Sequence, residues 1–89
     1  MKPAFKARAE VGKVTLDWTK GDSDGVVIEG QRSAETVWTF LDKDMKSPFV
    51  DTRPNSVSGQ PEQRRYRMIY LVDDEITGVY SDTVSVNTV

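Results

Sequence analysis

The sequence predicts an all-β protein, a seven-stranded antiparallel β-sandwich, on three observations. Apolar residues alternate with polar ones and nowhere recur at helical spacing. The alternating runs are short and almost evenly spaced. Gly, Pro, Asn, Asp and Ser cluster between them, at Gly12, "KGDSDG", "KSP", "RPNSVSGQPE" and "DDEITG".

Taken in order, "AFKARAE" puts Phe5 and Ala7 on one face, and Pro3 just before it suits an edge strand. "KVTLDWT" alternates Val14, Leu16 and Trp18 with Thr15 and Asp17, the pattern of a half-buried strand. "GVVIEGQRS" places Val26 and Ile28 together. "TVWTFLD" does the same for Trp38 and Phe40, and "PFVDT" is a short fourth run after the N-terminal one is set aside. "RRYRMIYLV" is the longest run, with Tyr66, Met68 and Tyr70 on one face and Arg67, Ile69 and Leu71 on the other. "VYSDTVSVNTV" closes the set with Val84 and Val86 inward. The stretch 53–62 is the longest irregular one, holds two of the four prolines and is the expected mobile segment.

Composition narrows the function. A chain of 89 residues is one domain, 1–89, with one modest core. A net charge of −2 argues against a dedicated nucleic-acid binder. No apolar run reaches the length of a membrane span, so no membrane insertion is expected, and no signal peptide is visible. The chain has neither cysteine nor histidine. Disulfides, thiolate ligands, Cys nucleophiles, most zinc chemistry and the usual general base are therefore excluded, and the expectation is a protein without catalysis or cofactor.

Several stretches together resemble a fibronectin type III domain. "VTLDW" is similar to that family's strand B. "VWTFLDKDMKSPFVDT" is similar to its C′-to-E stretch, "YRMIYL" to its strand F, and "GVYSDTVSVNT" to its last strand. The resemblance covers nearly the whole chain. It implies a Greek-key sandwich, with strands A-B-E packed against C-C′-F-G, serving as a module that binds, spaces or decorates. One departure stands out: Arg64 occupies the place of the family's corner tyrosine, two residues before Tyr66. The Arg-Gly-Asp adhesion tripeptide is also missing.

Four features bear on a site. Asp22 and Asp24 followed by Gly25 spell half of a calcium loop, a weak metal candidate that an ordinary turn explains as well. Asp73, Asp74 and Glu75 form an acidic tip. The implied topology groups them with Asp22, Asp24, Asp42 and Asp44 at one pole, against Lys20, Lys43 and Lys46. The opposite pole holds Lys13, Arg32, Arg53, Arg64 and Arg65 against Glu10, Glu35 and Glu62. A dipolar module of this kind steers association with a complementary surface. In Arg64-Arg65-Tyr66-Arg67, strand parity separates Tyr66 from Arg65 and Arg67, which speaks against base stacking. Trp18 and Trp38 sit at strand positions where large rings are usually core. If Trp38 lies on an outer sheet face beside Tyr70 or Tyr80, it becomes the leading hot-spot candidate.

The expected function is a non-catalytic protein-interaction or structural spacer module in an extracellular, surface or multi-subunit assembly. Its partners are other proteins or neighbouring domains, met through Asp22, Asp24, Asp73, Asp74, Glu75 and Trp38. Two alternatives stay open: a decoration protein of a virion or similar assembly, of bacterial or phage type, and a carbohydrate-binding module using Trp38.

Overall fold

The computed structural model describes residues 2–89, and the described residues hold eight β-strands and no helix. They are β1 (Phe5–Glu10), β2 (Lys13–Trp18), β3 (Gly25–Arg32), β4 (Thr39–Asp44), β5 (Phe49–Asp51), β6 (Gln63–Val72), β7 (Glu75–Thr77) and β8 (Val84–Asn87). Every pairing is antiparallel. One sheet has the order β1-β2-β5. The other has the order β4-β3-β6-β7, with β8 also paired to β6.

The two sheets face each other across one core. Val14, Leu16 and Trp18 of β2 meet Val26 and Ile28 of β3 and Tyr66, Met68 and Tyr70 of β6. Phe5, Ala7 and Ala9 of β1 flank them, as do Leu41, Phe49 and Val86. The alternation read from the sequence produces this core directly, because residues two apart on a strand share a face. Burying each such side chain contributes about 1.5–3 kcal/mol, so these few residues dominate the stability of a domain this small.

Three details depart from the expected strands. The eighth strand, β7, forms inside "DDEITG", which the sequence presents as a turn, and the last run, 79–89, enters the sheet only as β8. β7 and β8 pair with different halves of β6, and residues 78–83 leave the sheet between them. Ser81 bridges that gap: its Oγ accepts the Met68 N–H at 2.9 Å, and its own N–H donates to the Met68 carbonyl at 2.8 Å. A side-chain oxygen thus replaces one ladder acceptor. The third run starts later than expected, so that Trp38 precedes β4. Finally, the β3–β4 register shifts between Ile28 and Glu29, leaving Leu41 as an extra residue that packs against the core.

Strand register fixes which side chains share the outer face of the five-stranded sheet. Phe40, Glu29 and Arg67 stand opposite one another across β4, β3 and β6. Val27 and Ile69 form the next row, and Leu71 faces Ile76 of β7.

Candidate functional site

Arg67 organises the outer face. It points away from the core because it alternates with Tyr66 and Met68, both fully buried. Its Nε donates to Glu29 Oε1 at 2.7 Å. Its guanidinium carbon lies 3.8 Å from the Tyr80 ring centre and 4.5 Å from that of Trp38. Tyr80 in turn donates its hydroxyl to Glu29 Oε2 at 3.4 Å and packs over Val27, Ile69 and Leu71. Four side chains from β3, β6 and two connecting segments therefore make one cluster. A cation over an aromatic face is worth about 0.5–1 kcal/mol when exposed and about 2 kcal/mol when desolvated. Phe40, in the same row as Glu29 and Arg67, is 58% exposed, which leaves apolar surface near a fixed cation, and Ile76, farther along the same face opposite Leu71, is 59% exposed. Among the described residues, the terminal amino groups of Arg67 have no protein acceptor.

Trp18 and Trp38, grouped by the sequence, thus separate. Trp18 is core, its indole N–H donating to Asp44 Oδ2 at 2.9 Å. Trp38 is half-buried on the outer face with Tyr80 beside it. Tyr70 instead lies in the core and reaches the Thr19 carbonyl through its hydroxyl.

The 19–24 turn and the 73–75 tip meet at one end, and much of the chemistry there is turn construction. Ser23 closes the first turn, with both its N–H and its hydroxyl donating to the Lys20 carbonyl. Asp24 N–H donates to the Leu71 carbonyl, and its carboxylate accepts the Asp73 N–H at 2.7 Å. That joins the 19–24 turn to the acidic tip. Asp73 and Asp74 have φ of +52° and +64°, the two left-handed positions of a tight hairpin turn, where Asn, Asp and Gly are favoured. Asp74 also meets Lys43 at 3.4 Å. Asp22 and Glu75 stand exposed. Among the described residues no three carboxylates gather into a nest for a metal ion.

The opposite end corrects the charge picture. Arg53 and Arg64, counted above as sources of a basic field, are tied to carboxylates. Arg64 is 1% exposed. It donates to Glu62 Oε2 at 3.0 Å, Asp51 Oδ2 at 3.3 Å, the Arg53 carbonyl at 2.8 Å and Asn55 Oδ1 at 3.3 Å. Asp51, which the count of that pole omitted, is buried and also receives Arg53 Nη2 at 3.0 Å and the Tyr66 hydroxyl at 2.7 Å. Burial pushes the Asp51 carboxyl up, but the donors on Arg53 and Tyr66 outweigh it and hold it below the ordinary range. Glu62 is held low in the same way, burial being outweighed by the Ser56 N–H and by Arg64. Burial and the Asp51 carboxylate push the Tyr66 phenol well above the ordinary tyrosine range. Arg65 donates to Gln31, to Gln63 and to the Ser33 and Glu35 carbonyls, anchoring the 33–38 connection. Few of this end's cations are left free to act at a distance.

Arg64 is thus a buried arginine that fastens the 52–62 loop, while Tyr66 bonds Asp51. Sequence reasoning missed the network. The available signal was parity: Arg64 shares the inward face of Tyr66 and Met68. Comparison with known proteins finds no matching family model, curated protein or solved structure.

Proposed function

We propose that the chain is a fibronectin type III-like module without catalysis, and that it docks a partner protein on the outer face of its five-stranded sheet. The order β1-β2-β5 against β4-β3-β6, with β7 and β8 sharing the last place, supports the family reading, because it parallels A-B-E against C′-C-F-G. The observation that carries the functional reading is the Trp38–Arg67–Tyr80 cluster on Glu29. Aromatic and arginine side chains dominate binding hot spots, because they offer large rigid contact area with directional donors. Here the rings hold the guanidinium in place before any partner arrives, so little side-chain entropy remains to be lost. The partner's complement is an apolar side chain seated near Phe40, with a carbonyl or carboxylate that accepts from the terminal amino groups of Arg67.

Two observations support the absence of catalysis. The carboxylates of Asp51 and Glu62, closed in by their donors, are held ionised, the opposite of what a general acid needs near neutral pH. Both are also committed to internal donors. Sugar stacking on Trp38 finds less support, because Arg67 already covers a face of that ring and of Tyr80. A spacer or decoration role in a larger assembly is compatible with docking through this face.

The test is a photo-crosslinking residue at Phe40, compared with one at exposed Lys6 on β1, in extract of the source cells. The expected result is a discrete protein adduct from position 40 alone, lost on Arg67→Ala. Equal adducts from both positions, or an adduct indifferent to Arg67→Ala, contradict the reading.

A further inference from the structure

Residues 52–62, between β5 and β6, bring almost nothing apolar to the core. Val57, their one aliphatic residue besides two prolines, is 56% exposed. Polar bonds from a few side chains hold the segment instead. From β6, Arg64 Nη2 donates to the Arg53 carbonyl at 2.8 Å and to Asn55 Oδ1 at 3.3 Å. Glu62 spans the segment's far end: its Oε1 accepts the Ser56 N–H at 2.8 Å, and its Oε2 accepts Arg64 Nε at 3.0 Å. Arg32 adds a longer bond to the Pro54 carbonyl at 3.3 Å.

Both ends of the segment are fixed independently of this latch. Arg53 is held by Asp51, which takes its backbone N–H at 3.0 Å as well as its guanidinium. Glu62 is held through its main chain by Thr88, in two bonds of 2.8 Å. Beside the segment lies a polar cavity of about 70 Å³, bounded by Arg53, Asn55, Arg64 and Thr88, with Lys13 and Glu10 across from them. A water needs about 10–15 Å³ of such space, so the cavity has room for a few.

We infer that residues 54–61 form a strap latched by the Glu62 carboxylate, and that neutralising this carboxylate opens the strap locally while both sheets stay intact. Opening uncovers the Arg64 guanidinium and the cavity beside it. The reason is that the segment has little apolar contact to replace the lost bonds. Segments held by a few polar bonds, with little apolar burial of their own, open well below the free energy of global unfolding. Ionised acceptors make about twice as strong a hydrogen bond as neutral ones, so the latch depends on charge.

The charged groups around Glu62 are few. Arg64 faces it from β6, and Thr88, after β8, contributes only neutral bonds. Asp51, Arg53 and Tyr66 act on it through Arg64. Lys13, Glu10 and Arg32 lie at the cavity rim or on the strap. Because Glu62 is held below the ordinary glutamate range, its protonation and the opening belong to the acid side of that range.

Amide hydrogen exchange tests this in the whole chain. Glu62→Gln mimics the protonated acid, and Glu62→Ala removes the acceptor. At neutral pH, exchange at the Ser56 amide is expected to rise about tenfold or more in Glu62→Ala, with Glu62→Gln between it and the parent. The Val27 and Ile69 amides, in paired strands, are expected to stay unchanged. The parent at acid pH, corrected for intrinsic exchange, is expected to behave like Glu62→Gln. Unchanged exchange at Ser56, or exchange that rises in step with Val27 and Ile69, overturns the proposal.

Discussion

Arg64 and Arg67 lie on the same strand, three residues apart, and strand parity sends them to opposite faces. Arg64 enters the core side and is 1% exposed, with two carboxylates, a carbonyl and an amide oxygen as acceptors. Arg67 stays outside, where Nε is spent on Glu29 and the planar face on two aromatic rings. The first is a fastener, since a buried guanidinium without its acceptors costs too much to leave in place. The second has donors to spare and apolar neighbours in solvent, the makings of a contact surface. Residue type alone does not separate the two roles, whereas the partners of each side chain do.

The sharpest way to break the comparison is to remove both arginines in parallel. Arg64→Met is expected to destabilise the fold by about 3–5 kcal/mol, because Glu62 is left without its cation and Asp51 keeps only Arg53 of its two. Arg67→Met is expected to cost only about 1–2 kcal/mol, the worth of a half-exposed ion pair and its ring contacts. Urea unfolding measures both, and equal costs would sink the distinction.

A smaller loss, about 1.5–3 kcal/mol, is expected for Tyr66→Phe, which removes a hydroxyl donor from the buried Asp51 carboxylate. Thermal unfolding reads it, and no change would mean that the hydroxyl contributes nothing there.

The fastened end also dictates how stability responds to pH. Asp51 and Glu62 titrate lower in the fold than their unfolded values of 3.8 and 4.5. Their stabilisation is therefore complete above those values and is lost as pH falls through the folded ones. Tyr66 titrates higher than its unfolded value of 10.0, so its contribution is complete below that value and fades as pH rises beyond it. A urea midpoint that is flat between these limits and falls outside them is the expected profile. A midpoint that rises on acidification contradicts it.

The smallest effect concerns the acidic tip. Asp73→Asn with Asp74→Gly keeps the left-handed turn and removes two charges, and it is expected to leave stability unchanged or raise it by up to about 1 kcal/mol. The lost pair with Lys43 is exposed and worth about 0–1 kcal/mol. Substitution by lysine would confound charge with strain at positive φ, and this pair of changes avoids that. A loss above about 1 kcal/mol would show that the tip does more than turn the chain.

Much of the sheet structure was legible in the sequence, because alternation at Val14-Leu16-Trp18 or Tyr66-Met68-Tyr70 is local and points directly to a buried face. The extra strand β7 and the late start of β8 were not, since they depend on where the chain meets β6, with Ser81 bonding Met68 between them, a pairing that no local pattern announces. The outer cluster was half legible. Trp38 and Tyr80 were named as possible neighbours, but their common partner, Arg67, is 29 residues from one and 13 from the other and is found only by folding. The acidic stretches were read as a charged pole, and the turn geometry that accounts for Asp24, Asp73 and Asp74 appears only in backbone angles and hydrogen bonds. Arg64 was read as surface charge, although its parity with Tyr66 already placed it inward.

The most direct measurement is on Trp38→Ser, followed by urea unfolding and by crosslinking from position 40. Trp38 braces Arg67 without entering the core. The expected outcome is a stability loss of about 1–2 kcal/mol together with loss of the position-40 adduct. A loss above about 3 kcal/mol would make Trp38 a structural strut. An undiminished adduct would show that the Trp38–Arg67–Tyr80 cluster is not where the partner binds.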